Sequence, residues 1–481
     1  MSDETPILLP PAEDHSDRPK WRHWTWWLHP KVALTLLLFV LLLLSPFLMR
    51  ASRLSRVPAI EDPFDVEAFL SETVDDKDNA FLDYNAAEAL LVPATFSRVE
   101  WDEVDSAWEK TSPPVRAWVT ANRPALDRWR TGTEKEHSID NDLRRLDHFD
   151  SSPDVGRARD IARLACLQGE REQSEGQMAE AWQWYRALMR FSRHVGERTG
   201  AVGRIVGVFI HAETAKRIAL WAGDPRTSAE ELQMALNHLT GDFHLTRPFS
   251  EILKVEFCGI LKLERLNDQW KLRSPFLPTS PSWSDSRFVM YCLGEPELTF
   301  RLHKLVIENW LSGSDVPRKL QVRIAIRRGC LLDHTAPDSR SSVVELQRLL
   351  EASPVRSANG FWFNIPRDRI DDELAGQEAL RLTLACQFWF RRHGGFPAKL
   401  EDLVPDILAE LPVDPFSQTG EGFRYRRDGD AVVVYSLGLD ETDDHGSVDP
   451  IPGKDRPDIG YRLEPPRIRE QVSEQKPVDE P

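Results

Sequence analysis

The longest uninterrupted apolar stretch in the chain runs from Val32 to Met49, with the sequence VALTLLLFVLLLLSPFLM. It carries no charged side chain, and it is long enough for a helix to cross the hydrocarbon core of a bilayer. A helix suits that environment because it satisfies its own backbone hydrogen bonds. The stretch occurs once, and the chain beyond about residue 57 is too polar to span, so the pattern predicts a single transmembrane helix.

Four tryptophans lie directly before this stretch, at Trp21, Trp24, Trp26 and Trp27. Tryptophan favours the headgroup layer of a membrane, and we therefore expect residues 21–50 to form an aromatic belt followed by the transmembrane helix. The alternative is that these rings pack together in a small soluble helix. The uncharged run that follows them favours the belt.

The basic residues around the span indicate its orientation. Four lie before it and three lie after it, which favours an N-terminus in the cytoplasm. The chain is therefore expected to be a single-pass protein of the inner (cytoplasmic) membrane, with the bilayer as a partner and the C-terminal domain outside the cytoplasm. A cleaved signal peptide is the alternative, but the run is longer than a usual signal and no Ala-x-Ala site follows it.

Polar segments flank the organised parts of the chain. Residues 1–20 contain Pro10-Pro11 and many acids, which predicts a disordered cytoplasmic arm. Residues 51–78, basic at first and then acidic, are interpreted as a linker. Residues 464–481 are predicted to be a disordered tail.

A helical period of apolar positions dominates residues 79–355, and this predicts an α-helical domain. Between Ala158 and Val195, two amphipathic stretches flank the turn at residues 174–177, a pattern typical of a helical hairpin. A second pair follows, in which Ser228 and Glu231 form the capping box of the later helix.

The first of these hairpins resembles a tetratricopeptide unit. Gly169, Gly176, Ala181 and Tyr185 fall at spacings which that family favours, whereas the small residue expected in the second helix lies one position early, at Ala187. There is one such imperfect unit and no clear 34-residue period. The resemblance implies a surface that binds another protein.

The segment 371–463 has the pattern of a small α+β module. Asp371-Asp372 is interpreted as the cap of a helix that ends before Gly394-Gly395. Two strands, at residues 423–426 and 431–436, are predicted to form a β-hairpin around Asp428-Gly429. The apolar face of the helix is expected to contain Ala375, Ala379, Leu382, Cys386 and Trp389.

The order of motifs in this module resembles the C-terminal part of the major pseudopilins of type II secretion, and similar tails occur on bacterial membrane-anchored proteins of unknown role. The matching residues are Gly395-Phe396-Pro397, Leu400, Leu403-Val404, Asp414-Pro415-Phe416, Tyr425, Gly429, Tyr435-Ser436-Leu437-Gly438 and Asp440. The match spans about 75 residues. No pseudopilin leader precedes Val32, so the resemblance implies the local α+β fold and a calcium site rather than filament assembly.

The acidic loop after the hairpin could supply the oxygen ligands that calcium prefers. The resemblance implies a calcium site here, with backbone carbonyls of Ser436 and Leu437 as further ligands. The spacing is not that of an EF-hand, and the alternative is a solvated acidic loop. The candidate carboxylates are Asp440, Asp443, Asp444 and Asp449.

Composition excludes several classes of function. The net charge of −16 disfavours nucleic acid as a partner, because an acidic surface repels phosphates. The five cysteines are far apart and include no C-x-x-C pair, which argues against a disulfide scaffold and a zinc site.

No catalytic signature is present in the chain. It contains no H-E-x-x-H and no Walker A sequence, and Ser436 lacks the leading glycine of a nucleophile elbow. His194 and His211 lie on helical patterns, where a lone histidine is usually a surface or core residue.

The overall prediction is a mainly α protein with a single transmembrane helix, an extracytoplasmic helical-hairpin domain and a small C-terminal α+β module. The expected role is that of a non-enzymatic binding or scaffold protein of the cell envelope, partnered by another envelope protein. An envelope hydrolase whose site is assembled from distant residues is one alternative, and a protein associated with a secretion system is another.

Overall fold

A computed structural model of the chain describes residues 30–95, 108–141, 155–266, 287–315, 364–417, 419–448 and 458–466. The predicted arm at residues 1–20, the tryptophans of the predicted belt and nearly all of the predicted tail lie outside these residues. Cys330 and Asp449 do so too. The four described cysteines are free thiols.

The described chain is mainly helical, as the apolar period predicts. Its helices are α1 (Pro30–Leu54), α2 (Val66–Ser71), α3 (Phe81–Ala89), α4 (Pro113–Ala121), α5 (Arg123–Thr133), α6 (Val155–Ser174), α7 (Met178–Val195), α8 (Ala201–Gly223), α9 (Ala229–Gly241), α10 (Phe249–Leu266), α11 (Arg287–Leu293), α12 (Glu297–Leu311) and α13 (Asn364–His393). Short 3-10 helices occupy Trp108–Lys110, Asp242–Leu245 and Leu400–Leu403. The strands are β1 (Arg424–Asp428), β2 (Ala431–Ser436) and β3 (Ile459–Leu463).

The contacts divide the chain into two compact units. The first comprises Met1–Pro58 and Ser280–Leu298, and the second comprises Ala59–Thr279 and Thr299–Pro481. Most of the predicted helical domain and all of the predicted C-terminal module therefore belong to one unit. The predicted linker at residues 51–78 contains the end of α1 and the short helix α2.

In the first unit, α1 is the one described helix long and apolar enough to cross a membrane. Its 25 residues correspond to about 37 Å of helix. None of its residues is buried, although its sequence is almost entirely apolar. Pro46 lies inside it, and the nearby Ser45 hydroxyl donates a hydrogen bond to the carbonyl of Leu42 at 2.8 Å.

The end of α1 contacts α11. The Arg50 guanidinium forms an ion pair with Glu297 at 3.0 Å and donates to the carbonyls of Tyr291 and Glu295 at 3.2 and 3.3 Å. It also lies 4.8 Å from the centre of the Tyr291 ring. Arg50 thereby satisfies carbonyl groups at the C-terminal end of α11, where a helix carries partial negative charge.

The hydrophobic core of the second unit begins with α6 and α7, which are joined by a turn at Gly176 and pack against each other. Large aromatic side chains of α5, α7 and α8, among them Trp129, Trp182 and Trp221, are fully buried in it. The predicted capping box at the start of α9 is confirmed, because Ser228 and Glu231 exchange hydrogen bonds at 2.8 and 3.1 Å.

A glycine allows α8 to approach α7 closely. A Cβ atom added to Gly207 would lie 2.3 Å from the carbonyl oxygen of Ser192, a backbone atom that cannot rotate away. Gly207 therefore serves the packing of α8 on α7.

Helix α13 begins at Asn364, so the interpretation of Asp371-Asp372 as its cap is wrong. Asp371 is buried within the helix, and Ile370 before it belongs to a second core cluster with residues of α2 and α10. These contacts stabilise the part of α13 that precedes Asp371. The predicted apolar face is confirmed, because Ala375, Ala379, Leu382 and Cys386 are buried and Trp389 packs against the core.

The predicted hairpin is confirmed as an antiparallel pair of β1 and β2, with Gly429 at a positive φ of 62° in the turn. A third strand, β3, pairs antiparallel with the other edge of β2, and the sequence pattern did not predict it. All six residues of β2 are buried, because the strand is central and α13 packs against the sheet. The main hydrophobic core of the second unit contains residues of α7, α8, α13 and β2.

Candidate functional site

The acidic loop after β2 is held by local hydrogen bonds. Oδ1 of Asp443 accepts from the Tyr435 hydroxyl at 3.1 Å and from the His445 amide at 2.8 Å. Oδ1 of Asp440 accepts from the Thr442 amide at 3.0 Å. Both carboxylates are exposed, whereas Asp444 is half-buried.

Among the described residues, no three histidine, cysteine, aspartate or glutamate side chains are arranged to hold a metal ion. Asp449, the fourth predicted ligand, lies outside those residues. The calcium site at Asp440, Asp443, Asp444 and Asp449 therefore stays a prediction.

Asp414 connects two of the motifs that carry the pseudopilin resemblance. Its carboxylate accepts hydrogen bonds from the Phe416 amide at 2.9 Å, the Ser436 hydroxyl at 2.7 Å and the Leu437 amide at 3.4 Å. Burial raises the pKa of this carboxyl, although the hydrogen bonds oppose that shift. Asp414 thus joins Asp-Pro-Phe to Tyr-Ser-Leu-Gly, and its geometry is that of a structural link.

A second link joins the hairpin to the Gly-Phe-Pro motif. The Tyr425 hydroxyl donates to the carbonyl of Pro397 at 2.7 Å, and Arg427 donates to the carbonyls of Phe396 and Pro397 at 3.0 Å. Most of the motif residues singled out in the sequence therefore hold the module together.

Several charged side chains of the second unit are buried around α7. Arg190 forms an ion pair with Asp242, whose carboxylate also accepts from Arg186 at 2.8 and 3.1 Å. Burial alone would raise the pKa of Asp242, but these two arginines hold it below its ordinary value. Asp242 is therefore a carboxylate shared by two arginines of one helix.

A second ion pair lies deeper, between Arg204 of α8 and Glu373 of α13. Both side chains are buried. Burial would raise the pKa of the Glu373 carboxyl, yet the charge of Arg204 lowers it below its ordinary value. His211 is itself buried, which lowers its pKa to about 4. The ring is therefore neutral at neutral pH.

A further buried histidine is His194 at the end of α7. Its Nδ1 lies 2.6 Å from the hydroxyl of Tyr84. Burial, together with the charges of Arg190 and Arg247, lowers its pKa to about 3. The ring is therefore neutral at neutral pH and shares one hydrogen bond with the Tyr84 hydroxyl. His194 and His211 are thus core residues, in keeping with the interpretation of their helical positions.

His137, unlike these two histidines, is partly exposed and contacts a carboxylate. Its Nδ1 lies 2.8 Å from Oε1 of the buried Glu197, which also forms an ion pair with Arg247. The second oxygen of Glu197 accepts from the Ser138 amide at 2.7 Å. Glu197 therefore fixes the segment around His137 against the end of α7.

A pocket of about 160 Å³ opens beside this charged region. It lies between α7, α9, the following 3-10 helix and α13, and both apolar and polar side chains line it. The lining residues are Met189, Arg193, Leu239, Thr240, Phe243, Gln377, Glu378, Leu380 and Arg381.

Sequence reasoning missed this pocket and the ion pairs behind it. The one available signal was the density of arginines on α7, where Arg186, Arg190 and Arg193 occur in a helix that otherwise follows an apolar period. An arginine at an apolar position of a buried helix requires a partner from elsewhere in the chain.

No protein-family model matches this chain, and searches of curated proteins and of solved structures also found no match.

The two neutral histidines make the stability depend on pH. Their folded pKa values lie below that of an unfolded imidazole, about 6.5, so the stabilisation is complete above that pH and is lost as the pH falls. We expect each histidine to contribute a loss of about 2 kcal/mol between pH 7 and pH 5. His211→Gln should flatten the dependence of unfolding free energy on pH by that amount, as measured by urea denaturation. His244→Gln is the control, since its side chain is exposed; equal slopes in all three proteins would contradict the assignment.

Calcium is expected to stabilise the protein if the acidic loop binds it. A tenfold to hundredfold excess over the dissociation constant should add about 1–3 kcal/mol to the free energy of unfolding, and a chelator should remove that gain. The measurement is the melting temperature with calcium, with magnesium and with the chelator. Asp440→Asn combined with Asp443→Asn should abolish the calcium effect, and a melting temperature indifferent to millimolar calcium would reject the site.

Proposed function

We propose that this chain is a single-span protein of the inner membrane. Its second unit, Ala59–Thr279 and Thr299–Pro481, is called the body below. We infer that the body lies outside the cytoplasm and binds a partner of the cell envelope. The observation that carries the proposal is the contrast between α1 and the body. None of the residues of α1 is buried, whereas helices of the body with far more polar sequences bury their apolar faces. An exposed helix of that composition is stable in lipid and costly in water.

The surroundings of Arg50 support the same placement. Its charge lies at the C-terminal end of the apolar run, beside the exposed ring of Tyr291, which also contacts Phe47 edge-on at 5.8 Å between ring centres. Arginine and tyrosine both favour the boundary between hydrocarbon and water. This arrangement supports a membrane surface near the end of α1.

An exposed apolar stripe on α8 supports the binding role of the body. Val202, Phe209 and Leu220 lie on one face of this helix at intervals of seven and eleven residues, and Phe209 and Leu220 are 57% and 66% exposed. The exposed ion pair of Glu213 and Lys216, at 2.7 Å, lies on this same face between Phe209 and Leu220. Large apolar side chains aligned on a helix face are typical of a surface that contacts another protein.

The anchor is tested by the behaviour of the full-length chain. We expect the protein to remain with membranes after a carbonate wash, and Leu41→Asp combined with Leu42→Asp to release it, because each charge near the helix centre costs about 3 kcal/mol. The matched control is Leu41→Ile with Leu42→Ile, which should be retained. Recovery of the unmodified protein in the aqueous fraction would refute the anchor.

The same preparation separates the remaining alternatives. Mass spectrometry of the purified protein should find residues 30–54 still attached, whereas a cleaved signal peptide would remove them. A reporter that is active only outside the cytoplasm should be active when fused after Pro481. Activity of such a reporter at the N-terminus alone would reverse the orientation.

The binding role is tested on the stripe of α8. A photo-crosslinking phenylalanine analogue at Phe209 should give a discrete product of higher mass in intact membranes, because an aromatic side chain already occupies that position. The control places the analogue at Asn237, an exposed polar position on α9. Identical patterns at the two positions, or no product at Phe209, would contradict a partner on this face.

A further inference from the structure

Arg193 differs from the other arginines of the buried charged region. It is 3% exposed, and its Nη1 donates to the backbone carbonyl of Asp242 at 2.5 Å. Its buried Nε has no hydrogen-bond partner among the described residues, and no carboxylate of those residues forms an ion pair with it. The bond to Asp242 uses one of the two Nη groups of the guanidinium.

A buried arginine without an ion pair lowers the stability of the folded protein. Removing a guanidinium from water is compensated only by an anion or by hydrogen bonds to most of its donors. Its neighbours meet this requirement, since Arg190 is paired with Asp242 and Arg204 with Glu373. Burial also lowers the pKa of Arg193 to about 10, as expected of a cation that lacks a close partner.

Arg193 is among the residues that line the pocket between α7, α9 and α13. Two arginines and one glutamate lie in the lining, so its formal charge is +1. The glutamate, Glu378, is already paired with Arg381 at 2.8 Å. Arg193 is therefore the charge available to a ligand.

The walls around this charge define what kind of anion would fit. Met189, Leu239, Phe243 and Leu380 supply an apolar surface, which does not suit a fully hydrated inorganic ion. The volume of about 160 Å³ is close to that of cavities which hold one benzene-sized molecule. A planar carboxylate matches two parallel N–H donors of a guanidinium edge.

We propose that this pocket binds a small organic carboxylate, with the carboxylate on the guanidinium of Arg193 and the apolar part against the walls. The proposal adds a ligand class to the binding role of the body. It rests on the fold of the second unit and not on the anchor, so a failure of membrane retention would leave it standing.

Benzoate is the probe, titrated by calorimetry into the full-length protein in detergent. For a ligand of this size we expect a dissociation constant on the order of a millimolar or below. Benzamide, which has the same shape without the charge, and inorganic phosphate, which has charge without an apolar part, should each bind at least about tenfold more weakly.

Two variants assign the binding to the pocket. Arg193→Met keeps the length of the side chain and should weaken benzoate about ten- to hundredfold, because it removes a charge-assisted pair of hydrogen bonds. The matched control, Arg392→Met, changes an exposed arginine of α13 outside the lining and should bind as the unmodified protein does. Thr240→Trp alters an exposed residue of the lining, so it should obstruct the pocket without disturbing the core.

The variant at Thr240 keeps the test decisive if Arg193→Met fails to fold. Loss of benzoate binding in Thr240→Trp, with an unchanged melting temperature of the free protein, supports the pocket. Absence of heat with benzoate at concentrations well above a millimolar overturns the proposal. So does equal affinity for benzoate and benzamide, or benzoate binding that neither variant changes.

Discussion

The ion pair between Arg204 and Glu373 is the interaction on which the body of this protein depends. It joins α8 to α13 across 169 residues of sequence, and both partners are buried. Neither charge could remain in this core alone, because the loss of hydration would exceed any gain from packing. The pair therefore requires α13 to lie on α8, and α13 in turn packs against the sheet of the C-terminal module. This links the module to the helices that precede it in one core.

The same requirement explains why the arginines of α7 do not behave alike. Arg186 and Arg190 share Asp242, a residue of the 3-10 helix that follows α9, and so tie that helix to α7. Arg193 lies one turn further along and meets only the backbone carbonyl of Asp242. Among the described residues, Arg190 and Arg204 have carboxylate partners, whereas Arg193 forms no ion pair and lines a pocket.

Helix α1 and the helices of the second unit place their apolar residues differently. In α1 the apolar residues cover the whole circumference and none is buried, and the helix is long and apolar enough to cross a membrane. In α7 the buried tryptophans and leucines are stabilised by the neighbouring helices α6 and α8, so the same residue types face protein. At Gly207 the backbones of α7 and α8 come so close that a side chain would not fit between them. The exposed apolar side chains on one face of α8 are the exception to this burial.

The sequence by itself determined the features that depend on neighbouring residues. The apolar run of α1, the capping box at Ser228, the turn at Gly429 and the buried face of α13 all follow from periodicity or from side chains a few residues apart. Only the tertiary structure decided the start of α13, the existence of β3 and the partners of the buried arginines. A strand such as β3 has little signal of its own, because its stability comes from pairing with β2. The pocket beside Arg193 is of the same kind: its walls come from helices far apart in the chain, and no local pattern records which of them will meet.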